Sequence, residues 1–148
     1  MARYNVIAAG PFTQNPPQVQ EAIAAASIMP GTAVVWSGAA FVQAGLSAIA
    51  KVFIAQDNYL AMKYVDVAWP AGDRIIGLEI VDDQFYNVLV PTGVNVLKGS
   101  ELTTNATGRF ILALTTNKVI FQAEEAYNNT SGVDQLVRVR AVNGYLKA

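Results

Sequence analysis

Two adjacent carboxylate pairs, Asp82-Asp83 and Glu124-Glu125, are the residues of this chain best suited to acid–base chemistry, because histidine and cysteine are both absent. Paired carboxylates at the right separation hydrolyse glycosides, one as the acid and the other as base or nucleophile. Adjacency works against that use. Neighbouring strand residues project to opposite faces, so the two members of a pair do not share a site. Asp82-Asp83 also falls between apolar runs, where a solvated turn accounts for it. Without histidine or cysteine, the commonest general base, the commonest metal ligand and the thiol nucleophile are missing. No Asp-x-Asp-x-Asp-Gly calcium loop, Gly-x-Gly-x-x-Gly turn or Gly-Lys-Ser/Thr phosphate loop occurs. The expectation is a protein that is not an enzyme and needs no cofactor or metal.

Binding is the remaining chemistry. Arg138 and Arg140 are two residues apart and share one strand face, placed either to grip a partner's carboxylate or to pair with Glu124 on a neighbouring strand. Trp36 and Trp69 sit beside turn residues, where an indole stacks sugars, anchors an interface or packs the core. With Tyr4 and Phe12 near the start, the candidate interface residues are Tyr4, Phe12, Trp36, Trp69, Arg138 and Arg140.

The elements that must carry these residues are short strands. From Gly72 to Glu125 the apolar runs are Arg74–Val81, Phe85–Val90, Val94–Leu97, Arg109–Leu114 and Val119–Ala123, separated by turn residues such as Pro91-Thr92-Gly93 and Lys98-Gly99-Ser100. Upstream, Thr32–Trp36 and Ala40–Gln43 flank the hairpin-like Ser37-Gly38-Ala39, and Lys51–Gln56 is a further run; downstream, Gln135–Val142 alternates apolar residues with Arg138 and Arg140. This spacing predicts a mainly β fold, a small antiparallel barrel or sandwich. Parity places Ile76, Leu78 and Ile80 on one face and Phe110, Leu112 and Leu114 on another inner face, so Leu112→Asp is expected to unfold the domain.

Residues 1–30 read as an N-terminal arm and 31–148 as the β-domain. Asn15-Pro16-Pro17 followed by Val19, Ile23 and Ala26 or Ser27 suits either one short helix ending at Met29-Pro30 or an extended arm. The hydrophobic fraction of 53% supports a real core, yet only 14% of residues are charged and the net charge is −1. So sparse a charge fits burial against other subunits, and it announces neither nucleic acid nor a solvating tail. The uncharged stretch between Glu21 and Lys51 is interrupted by Pro30, Gly31, Gly38 and Gly45, so no membrane span is expected.

The succession Met29-Pro30-Gly31-Thr32, Lys51–Asp57, Ala71-Gly72-Asp73-Arg74, Val94–Thr103, Ala106–Phe110, Phe121–Ala126 and Leu136–Arg140 resembles the head decoration (cement) proteins of tailed bacteriophages. The resemblance covers roughly residues 28–142 by pattern, and residues 1–27 lie outside it. It implies a small β-barrel or sandwich made in the host cytoplasm and bound to the outer capsid surface of the virion. The implied partners are the major capsid protein and further copies of the chain, a trimer being favoured and a dimer possible. A carbohydrate-binding module on a virion surface, using Trp36 or Trp69, is the alternative.

Overall fold

The computed structural model describes residues 2–9 and 18–148. Strands β1 (Val19–Ala24), β2 (Ala33–Ser37), β3 (Ala40–Gln43), β4 (Phe53–Ala55) and β5 (Arg74–Glu79) come first in the chain. They close into a barrel in the order β1-β3-β2-β4-β5. Among the described residues only the β1–β3 pairing is parallel. Then follow β6 (Phe85–Val90), β7 (Asn95–Val96), β8 (Glu101–Thr104), β9 (Phe110–Leu112), β10 (Lys118–Ala123), β11 (Tyr127–Asn128) and β12 (Gln135–Leu146). Of these, β6-β12-β10-β8-β9 make an antiparallel sheet, and β7 and β11 pair as a small ribbon. One 3₁₀ turn, Tyr59–Ala61, is capped by the Asn58 side chain. Among the described residues no helix is long and apolar enough to cross a membrane.

The barrel is narrow because small residues alternate with rings. Ala22, Ala24, Val34, Phe41, Phe53, Ala55 and Ile75 are buried in one cluster. The Phe41 and Phe53 ring centroids lie 5.3 Å apart. Gly77 faces the same rings: a Cβ there would sit 3.0 Å from Phe41 and 3.1 Å from the Phe53 Cβ. With Gly77 packed against these rings and Leu78 buried on the other side, β5 is buried on both faces. The outward faces of the same strands β2, β4 and β5 present Ala33, Ile54 and Leu78 to a second, larger core. That core holds Tyr86, Val88, Phe110, Phe121, Val137 and Val139 from the sheet.

Barrel and sheet meet at two glycines. Gly31 has φ +84°, and a Cβ would fall 2.7 Å from Leu136 Cδ2; Gly108 has φ +72°, and its Cβ would fall 2.5 Å from the Ala33 carbonyl oxygen. The Ala33 N–H donates to the Gly108 oxygen at 2.8 Å, and the Leu89 N–H donates to the Gly31 oxygen at 3.0 Å. Backbone approaches backbone at both points, which only glycine permits.

One open alternative is decided and one expectation is corrected. Of the two forms left open between Asn15 and Pro30, short helix or extended arm, residues 19–24 are extended: they form a strand whose pairing with β5 from Val19↔Leu78 to Ile23↔Arg74 closes the barrel. The buried Ile28 packs in the same core. Leu112 and Leu114 are 42% and 72% exposed rather than inward-facing. Leu112 ends β9, a sheet edge flanked only by β8, and Leu114 lies beyond the strand; alternation fails after Leu112, with Ala113 buried next to it. Leu112→Asp is therefore expected to be tolerated.

Candidate functional site

The carboxylates do not converge. Asp82 and Asp83 occupy the turn between β5 and β6, with Asp83 in the left-handed region at φ 65°. Glu124 pairs with Arg140 at 2.9 Å on the outer side of β10 and β12. Glu125 points elsewhere, and its neighbours form the densest polar cluster on the sheet. It accepts hydrogen bonds from the Tyr4 hydroxyl at 2.7 Å and from the Arg138 backbone N–H at 2.8 Å. Arg3 lies 3.4 Å from the same carboxylate, donates to the Leu136 carbonyl and lays its guanidinium 3.7 Å over the Tyr127 ring. The Arg138 guanidinium sits 5.0 Å over the Tyr4 ring. Partial burial, and then the Glu125 carboxylate it donates to, push the Tyr4 phenol above its ordinary range. Among the described residues, no group of three acidic, histidine or cysteine side chains is placed to hold a metal ion.

Two of the sequence candidates, Tyr4 and Arg138, are thus brought together; Arg140 lies beside them on the same strand, over the Phe85 ring at 4.5 Å. The others are scattered. Trp36 is 43% exposed at the β2–β3 hairpin, its ring 4.5 Å from that of Phe41. Trp69 is a core residue: it is buried, and its indole N–H donates to the Gln56 carbonyl at 2.7 Å. Of the roles left open for it, packing the core is the one its burial supports. Phe12 lies outside the described residues.

The cluster fastens the segment 2–9 to the sheet. Ala8 bridges Tyr86 as an added edge partner of β6. Ile7 is fully buried, and its carbonyl accepts the Asn87 N–H at 2.8 Å while the Asn87 side chain donates to the Val6 carbonyl at 2.8 Å. The buried Asp57 accepts from the Ile7 backbone, and burial pushes its carboxyl up.

A second feature is apolar. Between Asn58 and Trp69, Leu60, Met62 and Tyr64 are 72%, 89% and 71% exposed, with Met62 held at φ 53°. Large side chains standing this far out of one loop are the surface most suited to a macromolecular contact. The sequence reading names no contact residue in this stretch. Its signal was apolar residues with neither strand nor helix period. Glu125 and Arg3 were also missed as contact residues, because their partners are far apart in the chain.

No protein-family model matches the chain, and no curated protein is similar to it. Among solved structures, the head fiber gp8.5 N base of bacteriophage phi29 superposes with a TM-score of 0.60 at 18% identity, over 88% of this chain and 98% of that one. The mainly β architecture expected from the strand spacing, with its closed barrel, is therefore a fold shared with that solved structure.

Proposed function

We propose that the chain is a structural protein of a phage head, a decoration protein that binds the outer capsid surface and bridges major capsid protein subunits. The observation that supports this most directly is the fold shared with the phi29 head fiber base. The exposed Leu60, Met62 and Tyr64 supply contact area for such docking. Bridging makes each later contact intramolecular, so modest apolar patches on a homo-oligomer hold tightly. The test is direct: heads assembled with and without the protein are heated and treated with chelator. Decorated heads are expected to retain DNA at temperatures that empty bare ones, and equal survival overturns the cement role.

The phi29 neighbour is the base of a fiber, which favours a second reading in the same class, an anchor seating a fiber on the head. Cryo-imaging separates the two by showing either a lattice of knobs or isolated projections. The sugar-binding alternative is left with Trp36 alone, since Trp69 is buried.

A further inference from the structure

Barrel and sheet leave a groove where they meet, beside the exposed loop between Asn58 and Trp69. Its apolar lining includes Met29 from the turn before β2, Leu89 of β6, Leu136 of β12 and the buried Val65 of the loop. Gly31 lets these elements approach: a Cβ there would fall 2.7 Å from Leu136 and 3.3 Å from Leu89. The groove encloses about 170 Å³, many times the roughly 10–15 Å³ that one water requires. A neighbouring hollow shares Val65 and Asp66 with it and is also lined by the exposed Tyr64, so the groove is continuous with the surface that carries Leu60 and Met62.

The polar lining asks for a cationic donor. Its ionisable side chains, Asp66 and Asp134, are both acidic. Asp134 already accepts from the Arg109 Nε at 2.8 Å. Asp66 is exposed on the loop and enters none of the ion pairs among the described residues. Gln135 lines the same groove, is only 8% exposed, and its Oε1 has no hydrogen-bond partner among the described residues. A buried amide oxygen left unpaired is costly, and a donor seated in the groove removes that cost. An apolar lining with acceptors at its end suits an aliphatic stem that carries a positive head, the form of lysine and arginine. The guanidinium fork, with five N–H donors, serves more than one acceptor.

We propose that this groove receives an arginine or lysine side chain of the head protein on which the chain docks, the stem against Val65, Leu89 and Leu136 and the charged end toward Asp66 and Gln135. The occupant belongs to the head because the groove runs into the apolar loop assigned to head contact. The inference rests on the docking reading and deepens it: the loop supplies area, and the groove selects the partner by charge.

The test has two arms. In the first, n-butylguanidinium is titrated into the isotope-labelled full chain, with pentanoate as an anion on the same stem. The cation is expected to shift the Gln135 side-chain amide and the Val65, Leu89 and Leu136 methyl signals saturably, and pentanoate to leave them in place. Asp66→Asn is expected to weaken cation binding about threefold. No saturable response, or an equal response to both compounds, overturns the proposal. In the second arm, Asp66→Lys is compared with wild type in co-sedimentation with heads. Its apparent affinity is expected to fall by about tenfold or more, because a fixed cation meets the incoming one. Asp82→Lys, the same reversal before the opposite end of β6 from Leu89, is expected to bind as wild type does. Melting curves accompany each variant, and where Asp66→Lys melts early, Asp66→Asn is read in its place for a loss of about threefold. Heads that bind the Asp66 variants as well as wild type overturn the proposal and leave the docking reading standing. Self-association that Asp66→Lys abolishes overturns it too, by giving the groove to a second copy. Wild-type protein that takes butylguanidinium in the groove but ignores heads overturns the docking reading while the cation site stands.

Discussion

Asp57 and Tyr86 show how single buried groups tie stability to pH. Burial raises the Asp57 carboxyl above its ordinary value of 3.8, so the folded state holds that proton more tightly than the unfolded chain does. Stability is then lost as pH rises through the interval above 3.8 and regained on acidification. Asp57→Asn keeps an acceptor oxygen without the charge; its melting temperature is expected to exceed wild type at about pH 7 and to converge with it near pH 4. Tyr86 acts at the other end of the scale. Desolvation pushes its phenol from 10.0 to about 12, while its hydroxyl donates to the Glu79 carbonyl and accepts the Val81 N–H. The folded phenol stays neutral where the unfolded one ionises, so stability falls from pH 10 upward, by about 2–3 kcal/mol in all. Tyr86→Phe abolishes that alkaline loss, and at neutral pH it costs about 1–2 kcal/mol by leaving two buried backbone groups unpaired. Denaturant melts across the alkaline range check both effects. Neither role was readable beforehand: Tyr86 looks like one more alternating strand residue, and its partners lie across a turn whose closure only the fold creates.

At the scale of elements, alternation recovered most strands and failed where a strand has only one neighbour or two buried faces. β12 was legible because Val137, Val139 and Ala141 alternate with two arginines beneath a continuous neighbour on each side. β8 was missed because its buried Thr103 and Thr104 are polar, and β1 because its pairing partners are distant in sequence. The same logic predicts contrasting substitutions in one hairpin. Phe110→Ala empties the centre of the larger core, where its ring meets Phe121 at 5.2 Å, and is expected to cost about 3–5 kcal/mol. Leu112→Ser, two residues on, stays within about 0.5 kcal/mol of wild type. Gly108→Ala strains a positive φ and drives a methyl into the Ala33 carbonyl oxygen at 2.5 Å, so it is expected to part barrel from sheet and cost about 2–4 kcal/mol. Calorimetric unfolding of the three variants distinguishes these outcomes.

At the scale of the whole molecule, stability and recognition are carried by different surfaces, and this separation can be measured. The two cores enclose the rings and branched residues that fix the fold, whereas Leu60, Met62 and Tyr64 are 72%, 89% and 71% exposed and support nothing internal. A soluble monomer gains little from keeping three large apolar side chains in water on one loop; a protein docked on a shell gains their burial, roughly 1.5–3 kcal/mol for each fully covered side chain. The triple variant Leu60→Ser, Met62→Asn, Tyr64→Ser is therefore expected to melt as wild type does, because all three side chains are exposed and asparagine tolerates the left-handed backbone that Met62 adopts at the end of the 3₁₀ turn. Co-sedimentation with heads should fall by at least two orders of magnitude in apparent affinity, since 1.4 kcal/mol corresponds to about tenfold. Full binding by this variant would move the docking surface elsewhere. The half-exposed Trp36, at the β2–β3 hairpin, is then the next position to substitute.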